Sequence, residues 1–373
     1  MSSKTAMGII FPNMHDKNLI ELTDKRTMAS VPFGGRYRLI DFGLSSMVNA
    51  GISNIGVIVK QNYQSLMDHL GNGREWDLSR KRGGLTIFPP YGDAGGRVYH
   101  GRIEALEQIL DYIGHQREKY VIMMDCDVVC NVDFGAVLDA HVSSGADVTI
   151  VYDRSVMTEG ITKNNVTLRL DENGRVTAMR SNDCTLGMGN ISMDIFVIER
   201  EKLISIVREA VSGGHNMFER DVLSANLDTL KVMGYEYTGY RSRIYDMASY
   251  YRANMEMLDR ENLQNLFGGG RTIYTKVRDE APVRYALDSC VRDTIAADGC
   301  VIEGEVEGCV LFRNVRIGKG AKLKNCIVMQ GTVIEPGVEM RYCVTDKDVT
   351  VTENKMLVGY ETYPVYIAKG ARV

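Results

Sequence analysis

From Cys309 to Val344 the chain reads CVLFRNVRIGKGAKLKNCIVMQGTVIEPGVEMRYCV, and the pairs Cys309-Val310, Cys326-Ile327 and Cys343-Val344 recur every 17 residues. At the same shift Ile317 falls on Ile334, Gly320 on Gly337, Ala321 on Val338 and Leu323 on Met340. An apolar residue about every six positions, with glycines and small residues between, fits three short strands per turn, the pattern of a parallel β-helix. The cysteines then stack inside the coil. A metal role for them is disfavoured, because zinc sites draw on closely spaced cysteine pairs. Such a prism exposes flat sheet faces suited to oligomer contacts or to anchoring another domain.

Upstream the patterning changes. Between Met7 and Val151 short apolar runs (Met7–Phe11, Ile55–Val59, Val121–Met124, Val148–Val151) alternate with helical patterns (Ile40–Ala50, Ile103–Ile113, Val137–Val142). This alternation argues for a largely parallel sheet with helices on its faces. Ile103, Leu106, Ile109, Leu110 and Ile113 fall on one face of a helix over 101–113. Val166–Leu170, the turn Asp171-Glu172-Asn173-Gly174 and Val176–Met179 read as a β-hairpin. A strand at Ile195–Ile198 and helices near 202–211, 219–227 and 248–258 follow, and Gly268-Gly269-Gly270 marks a boundary. The expected organisation is a Rossmann-like α/β domain with a mostly parallel mixed sheet over residues 1–265, a linker over 266–285, and a left-handed parallel β-helix of hexapeptide-like repeats over 286–373.

Composition agrees with two folded domains: 373 residues, 45% apolar and 25% charged. With 44 basic against 48 acidic residues the net charge is -4, which supplies no basic field for nucleic acid. No apolar run approaches the roughly 18 residues of a membrane span, and no signal peptide is evident, so the cytoplasm is the default location and no membrane partner is expected. Eight dispersed cysteines read as reduced thiols.

Leu22 to Asn49 reads LTDKRTMASVPFGGRYRLIDFGLSSMVN. Together with Gly51–Val59, Tyr99-His100-Gly101, YVIMMDCDVVCNVDF from Tyr120 to Phe134, Ser192-Met193 and YYRAN from Tyr250 to Asn254, it resembles the glucose-1-phosphate adenylyltransferases (ADP-glucose pyrophosphorylases) over nearly the whole chain. The block Pro32–Phe42 is long and specific to that family. The resemblance implies an α/β nucleotidyltransferase domain ahead of the β-helix. It also implies a tetramer, and a reaction that makes ADP-glucose and pyrophosphate from ATP and glucose 1-phosphate with Mg²⁺ for glycogen or starch synthesis.

Nucleotidyl transfer is mostly positioning and charge neutralisation. It needs a glycine-rich triphosphate loop, an arginine on that loop, metal carboxylates and a sugar-phosphate lysine. The family loop, Gly-Gly-x-Gly-x-Arg-Leu, is replaced here by Pro12-Asn13-Met14-His15-Asp16-Lys17-Asn18-Leu19, which has no glycine, lacks one N–H at Pro12 and adds the charge of Asp16 where the triphosphate lies. Asp127 matches the first family metal ligand, and Asp125 reads as a helper or, more plainly, a turn cap. The second metal aspartate becomes Arg243, for which a surface ion pair is the simplest structural role. The sugar-phosphate lysine becomes Asn182, with Arg180 nearby as a partial substitute. Tyr99 and Gly101 keep part of the Tyr-x-Gly-Thr substrate motif, but Arg102 replaces its threonine. Ser192 is kept, but Asp194 replaces the glycine after Met193. No catalytic residue is therefore expected; Tyr99, Gly101, Asp127 and Ser192 are the remnant of a substrate pocket, and Asp127 is a weak metal ligand at most. The six histidines show no ligand or triad spacing.

Lys25, Arg26 and Arg38 match basic residues that in the family line an effector site between the two domains. Two readings stay open for them: an anion site for a sugar phosphate, or pairing with carboxylates such as Asp41 that hold a buried loop. A preserved scaffold with an eroded site resembles the non-catalytic second subunit that accompanies the catalytic pyrophosphorylase in some bacterial glycogen operons. The expected function is a regulatory subunit that needs no cofactor of its own and acts in a tetramer with a catalytic glucose-1-phosphate adenylyltransferase subunit. The alternatives are an active nucleotide-sugar pyrophosphorylase with a rearranged site and a stand-alone sugar-phosphate sensor.

Overall fold

The computed structural model describes residues 5–90, 99–157 and 165–373. Four apolar runs form parallel strands β1 (Ala6–Phe11), β2 (Asn54–Ile58), β3 (Gly84–Phe88) and β4 (Tyr120–Asp125), ordered β4-β1-β2-β3. Every residue of β1 is buried. Ile10 faces one apolar core while Met7, Ile9 and Phe11 face the other, so the strand reads as a continuous apolar run rather than an alternation.

Five further strands widen this into a nine-stranded mixed sheet: β5 (Val148–Met157), β6 (Val166–Leu170), β7 (Val176–Ser181), β8 (Gly187–Glu199) and β9 (Val232–Glu236). The hairpin foreseen at 166–179 is β6 and β7. Strand β8 is much longer than the four residues expected: Ile195–Glu199 pairs antiparallel with β4, and Asn190–Ile191 pairs with β6. A register shift between Ser192 and Ile195 separates the halves. Such a bulge re-aims side chains.

Two helical expectations need correction. The segment 101–113 is split into Arg102–Glu107 and Leu110–Gly114, because Ile109 leaves helical geometry (φ -114) while Ile103, Leu106, Ile109 and Ile113 all stay buried. The helix expected over 219–227 is a π-helical turn, Phe218–Leu223, followed by a short 3-10 turn. Its wider turn carries Glu219 inward onto Arg102.

The C-terminal repeat folds in the register read from its periodicity. Three five-stranded parallel sheets wrap into a β-helix whose first strand is Arg284–Tyr285. Ile317 lies opposite Ile334 and Leu323 opposite Met340. Cys309, Cys326 and Cys343 are fully buried, their thiols donating to the carbonyls of Glu307, Lys324 and Arg341 at 3.2, 3.2 and 3.3 Å.

The two domains share a core. Val310, Phe312, Ile327, Met329 and Val344 of the β-helix pack in the same apolar cluster as Phe33, Phe42 and Tyr250. The Pro32–Phe42 block builds this seam. Pro32–Phe33 pairs with Tyr37–Arg38 around Gly34-Gly35, and Gly35 lies close to Ile295 and the Leu311 carbonyl with φ +82, a left-handed conformation in which a side chain is strained. Tyr250 donates to the Pro32 carbonyl (2.7 Å), Gly34 N–H to Asn254 Oδ1 (2.9 Å), and Tyr251 to the Asn325 carbonyl (2.9 Å).

Candidate functional site

In an open parallel sheet, ligands bind beyond the carboxyl ends of the strands. Here β1 and β4 are neighbours with Phe11 opposite Asp125, so the residues that follow each strand meet. They meet as a buried cluster of charges. His15 Nε2 lies 2.8 Å from Asp125 Oδ2 and 3.8 Å from Asp127 Oδ1. Arg102 Nη2 donates to Asp125 Oδ2 (2.8 Å), its Nη1 contacts Glu219, and its guanidinium lies over Phe11 and Phe196 at 5.2 and 5.1 Å. Arg243 Nη1 donates to Asp127 Oδ2 (3.1 Å) and Asp194 Oδ2 (3.0 Å), and its Nη2 to the Ser192 carbonyl.

Several expectations are corrected by this geometry. Arg243 is no surface ion pair; it projects from the short strand Arg241–Arg243, paired with Val128–Cys130, into the position of the lost metal ligand. Asp125 caps no turn and instead joins His15 to Arg102. Asp194 is the counter-ion of Arg243. It occupies the bulge of β8 in the left-handed region (φ +55), which glycine adopts freely and aspartate tolerates. The carboxylate missing at 243 thus reappears across the pocket. Asp16 does not point toward a triphosphate: its carboxylate accepts Met28 N–H (2.7 Å) and Asn13 Nδ2 (2.6 Å) inside its own loop.

Burial opposes the charges of His15, Arg243, Asp127 and Asp125, and the neighbours outweigh it at all of these but Asp127. Burial pulls His15 down, but Asp127, Asp125 and Asp194 outweigh it and hold the imidazole at about 9. Burial pulls Arg243 down as well, and Asp127 and Asp194 more than compensate. Burial raises Asp127, with His15 and Arg243 opposing. Burial also raises Asp125, but Arg102 and His15 turn the net shift downward.

These residues do not fit Mg²⁺. Mg²⁺ needs oxygen ligands at about 2.0–2.1 Å in an octahedron, and the space between Asp127 and Asp194 holds a guanidinium. The other sequence candidates take structural roles. Tyr99 is buried and donates to the Ile58 carbonyl (3.1 Å). Gly101 precedes the Arg102 helix and packs directly on the Asn216 carbonyl, which excludes a side chain. Asn182 is exposed beyond β7, and Arg180 lines an open cleft on the β5–β8 excursion.

A second site lies in the seam between the domains. A narrow cleft with a volume of about 30 Å³ is lined by Arg36, Arg38, Lys276, Arg278, Arg313 and Lys347, with Pro32, Gly35, Tyr37, His69, Phe312 and Gln330. The α/β domain, the linker and the β-helix each supply two of these six cations. Burial, followed by Arg38 and Arg26, pushes the Lys347 ammonium down to about 7, and burial pushes Arg38 down to about 10. Charge-assisted hydrogen bonding to an anion is the chemistry such a cluster offers. Of the three basic residues singled out in the sequence, Arg38 lines the cleft and donates to the Ser65 carbonyl (2.5 Å). Arg26 is committed elsewhere, buried with its Nη2 donating to both carboxylate oxygens of Asp346 at 2.8 and 2.7 Å. Lys25 is exposed and outside the lining. The carboxylate pairing through Asp41 goes to His69 (2.6 Å).

Sequence reasoning missed His15, Glu219, Lys276, Arg278, Arg313 and Lys347. For His15 a signal existed: two strands in a parallel βαβ pattern that both end in chemistry-bearing residues.

A nucleotidyl transferase family profile matches residues 15–178, and a GlmU-like C-terminal hexapeptide profile matches residues 282–363, in keeping with a left-handed β-helix. The chain is 34% identical over 375 residues to the glycogen biosynthesis protein GlgD of Bacillus subtilis (strain 168), covering 99% of this chain and 97% of that one. It is 38% identical over 316 residues to the GlgD protein of Geobacillus stearothermophilus, covering 84% and 82%. A glucose-1-phosphate adenylyltransferase of Bacillus mycoides (strain KBAB4) is 31% identical over 346 residues, 91% of each chain. Among the described residues no helix is long and apolar enough to cross a membrane. With the nucleotidyltransferase sheet, the hexapeptide β-helix and full-length relatives in agreement, the chain belongs to the family that comprises the glucose-1-phosphate adenylyltransferases and the glycogen biosynthesis protein GlgD.

Proposed function

We propose that this chain is a non-catalytic regulatory subunit for a glucose-1-phosphate adenylyltransferase of glycogen synthesis. The observation that carries the proposal is the contrast between its two sites. The strand-end pocket is filled by the chain's own charges, whereas the interdomain cleft presents six cations. A regulator needs the second and not the first. In the pocket, Arg102 and Arg243 are held by carboxylates and aromatic faces, so neither is free to bind a triphosphate. In the cleft, an anion such as a sugar phosphate bridges cations from both domains and biases their relative placement. Bound to a catalytic relative in a mixed tetramer, the chain alters that enzyme's affinity or turnover through the shared interface, as a coupling between sites. The chain needs no cofactor for this role, and Mg²⁺ belongs to its partner's reaction.

The test is co-expression with a catalytic relative from the same organism. Alone, the chain is expected to give negligible ADP-glucose from ATP, glucose 1-phosphate and Mg²⁺; turnover near an ordinary enzyme's ~10 s⁻¹ refutes the proposal. Together, the two are expected to elute as one hetero-oligomer with kinetic constants or an effector response unlike those of the relative alone. No complex and no kinetic change favours a stand-alone sensor.

A further inference from the structure

We propose that Arg243 is a resident cation, a guanidinium standing where a divalent ion would otherwise sit, and that removing it turns Asp125, Asp127, Asp194 and His15 into a divalent-cation site. One ligand atom from each of these four residues lies within 4.8 Å of the others. Arg243 Nη1 is wedged between two of the carboxylates, 3.1 Å from Asp127 and 3.0 Å from Asp194. Two oxygens, Asp125 Oδ1 and Asp127 Oδ1, are buried on residues 3% and 2% exposed and accept no hydrogen bond. Buried acceptors are nearly always satisfied, so these lone pairs mark ligand capacity that the guanidinium does not use. Buried carboxylates persist only when their charge is balanced. Deleting Arg243 removes that balance at Asp127 and Asp194, while Arg102 stays on Asp125, and opens a gap lined by carboxylate oxygens, with the His15 imidazole joining them once an entering cation displaces its proton, a set that Mn²⁺ accepts. The proposal stands apart from the regulatory reading, because it concerns the isolated chain.

The experiment measures melting temperature and Mn²⁺ binding on the full chain for wild type, Arg243→Ala, Arg243→Lys and the double variant Arg243→Ala/Asp194→Asn. Arg243→Ala is expected to melt below wild type in metal-free buffer, to recover with millimolar Mn²⁺, and to bind Mn²⁺ at least tenfold more tightly than wild type. Arg243→Lys keeps a cation and is expected to stay insensitive. The double variant, which loses the cation and one of its counter-charges together, is expected to regain much of the lost melting temperature and to bind Mn²⁺ at least fivefold more weakly than Arg243→Ala. The proposal is overturned if folded Arg243→Ala binds Mn²⁺ no better than wild type, or if Arg243→Lys gains the same affinity. Should Arg243→Ala not fold even with Mn²⁺, a double variant that is no more stable overturns it as well.

Discussion

Lys347 changes charge with what occupies its cleft. Its pKa in the folded chain is about 7, against 10.5 ordinarily, because of burial and the neighbouring Arg38 and Arg26, with Asp346 opposing and Lys369 adding to the shift. Between those values the unfolded chain holds a proton that the folded chain has released, so this residue's contribution to stability rises as pH rises from 7 to 10.5. A bound dianion favours the ammonium and makes binding take up a proton. Sulfate, whose own charge is constant near neutrality, is therefore expected to bind more tightly as pH falls from 8.5 to 6.5, by at most about tenfold per unit. His69 in the cleft wall is pushed below its ordinary 6.5 by burial, with Asp41 opposing. Sulfate-dependent melting temperatures check the slope, Lys347→Met is expected to abolish it, and a flat wild-type profile refutes it. Nearby, Arg26→Met strips buried Asp346 of its guanidinium and leaves it the hydrogen bonds of the Lys347 N–H and the Tyr366 hydroxyl, a loss of about 3–5 kcal/mol in urea unfolding. Arg26→Met/Asp346→Leu is expected to return most of it. Lys347 did not stand out in the sequence, because a single cation carries no information until domain docking places it among others, whereas His15 could have been found from the strand it follows.

At the scale of elements, legibility followed periodicity. The β-helix repeats itself, so the pairing of Ile317 with Ile334 and the inward cysteines could be read directly from the 17-residue interval. Cys326 is wholly buried between its two counterparts. Cys326→Asp is expected to cost several kcal/mol by burying an unpaired carboxylate, and Cys326→Val less than about 1.5 kcal/mol. Equal melts for the two variants would place the side chain outside the coil. The α/β elements were legible in type but not in detail. The break at Ile109 and the π turn at Phe218 come from packing on the sheet and from the pull of Arg102 on Glu219, and a helical wheel contains neither force. The loss of the glycine loop was equally plain, yet where Asp16 points depended on Met28 and Asn13 within the folded loop.

At the scale of the molecule, the blocks that mark the family, Pro32–Phe42 and Tyr250–Asn254, prove to be seam residues rather than chemistry. Their persistence in a chain with a filled pocket is thus physically consistent, since they hold the cleft together. Arg38→Ala with Arg313→Ala is expected to blunt the anion response of the mixed oligomer while leaving its assembly, followed by size exclusion, intact. An unchanged anion response would move the effector elsewhere. The seam also has a history during synthesis. Arg26 must await Asp346, 320 positions later, and the Glu21 carbonyl must await Tyr366. At roughly 5–20 residues per second of translation, an α/β domain complete near residue 265 spends on the order of 4–16 s with its seam flank bare before Asp346 is made. Chaperones that bind exposed apolar surface can distinguish the growing chain from the finished one by that flank, and a chain cut short before Asp346 never passes from one to the other.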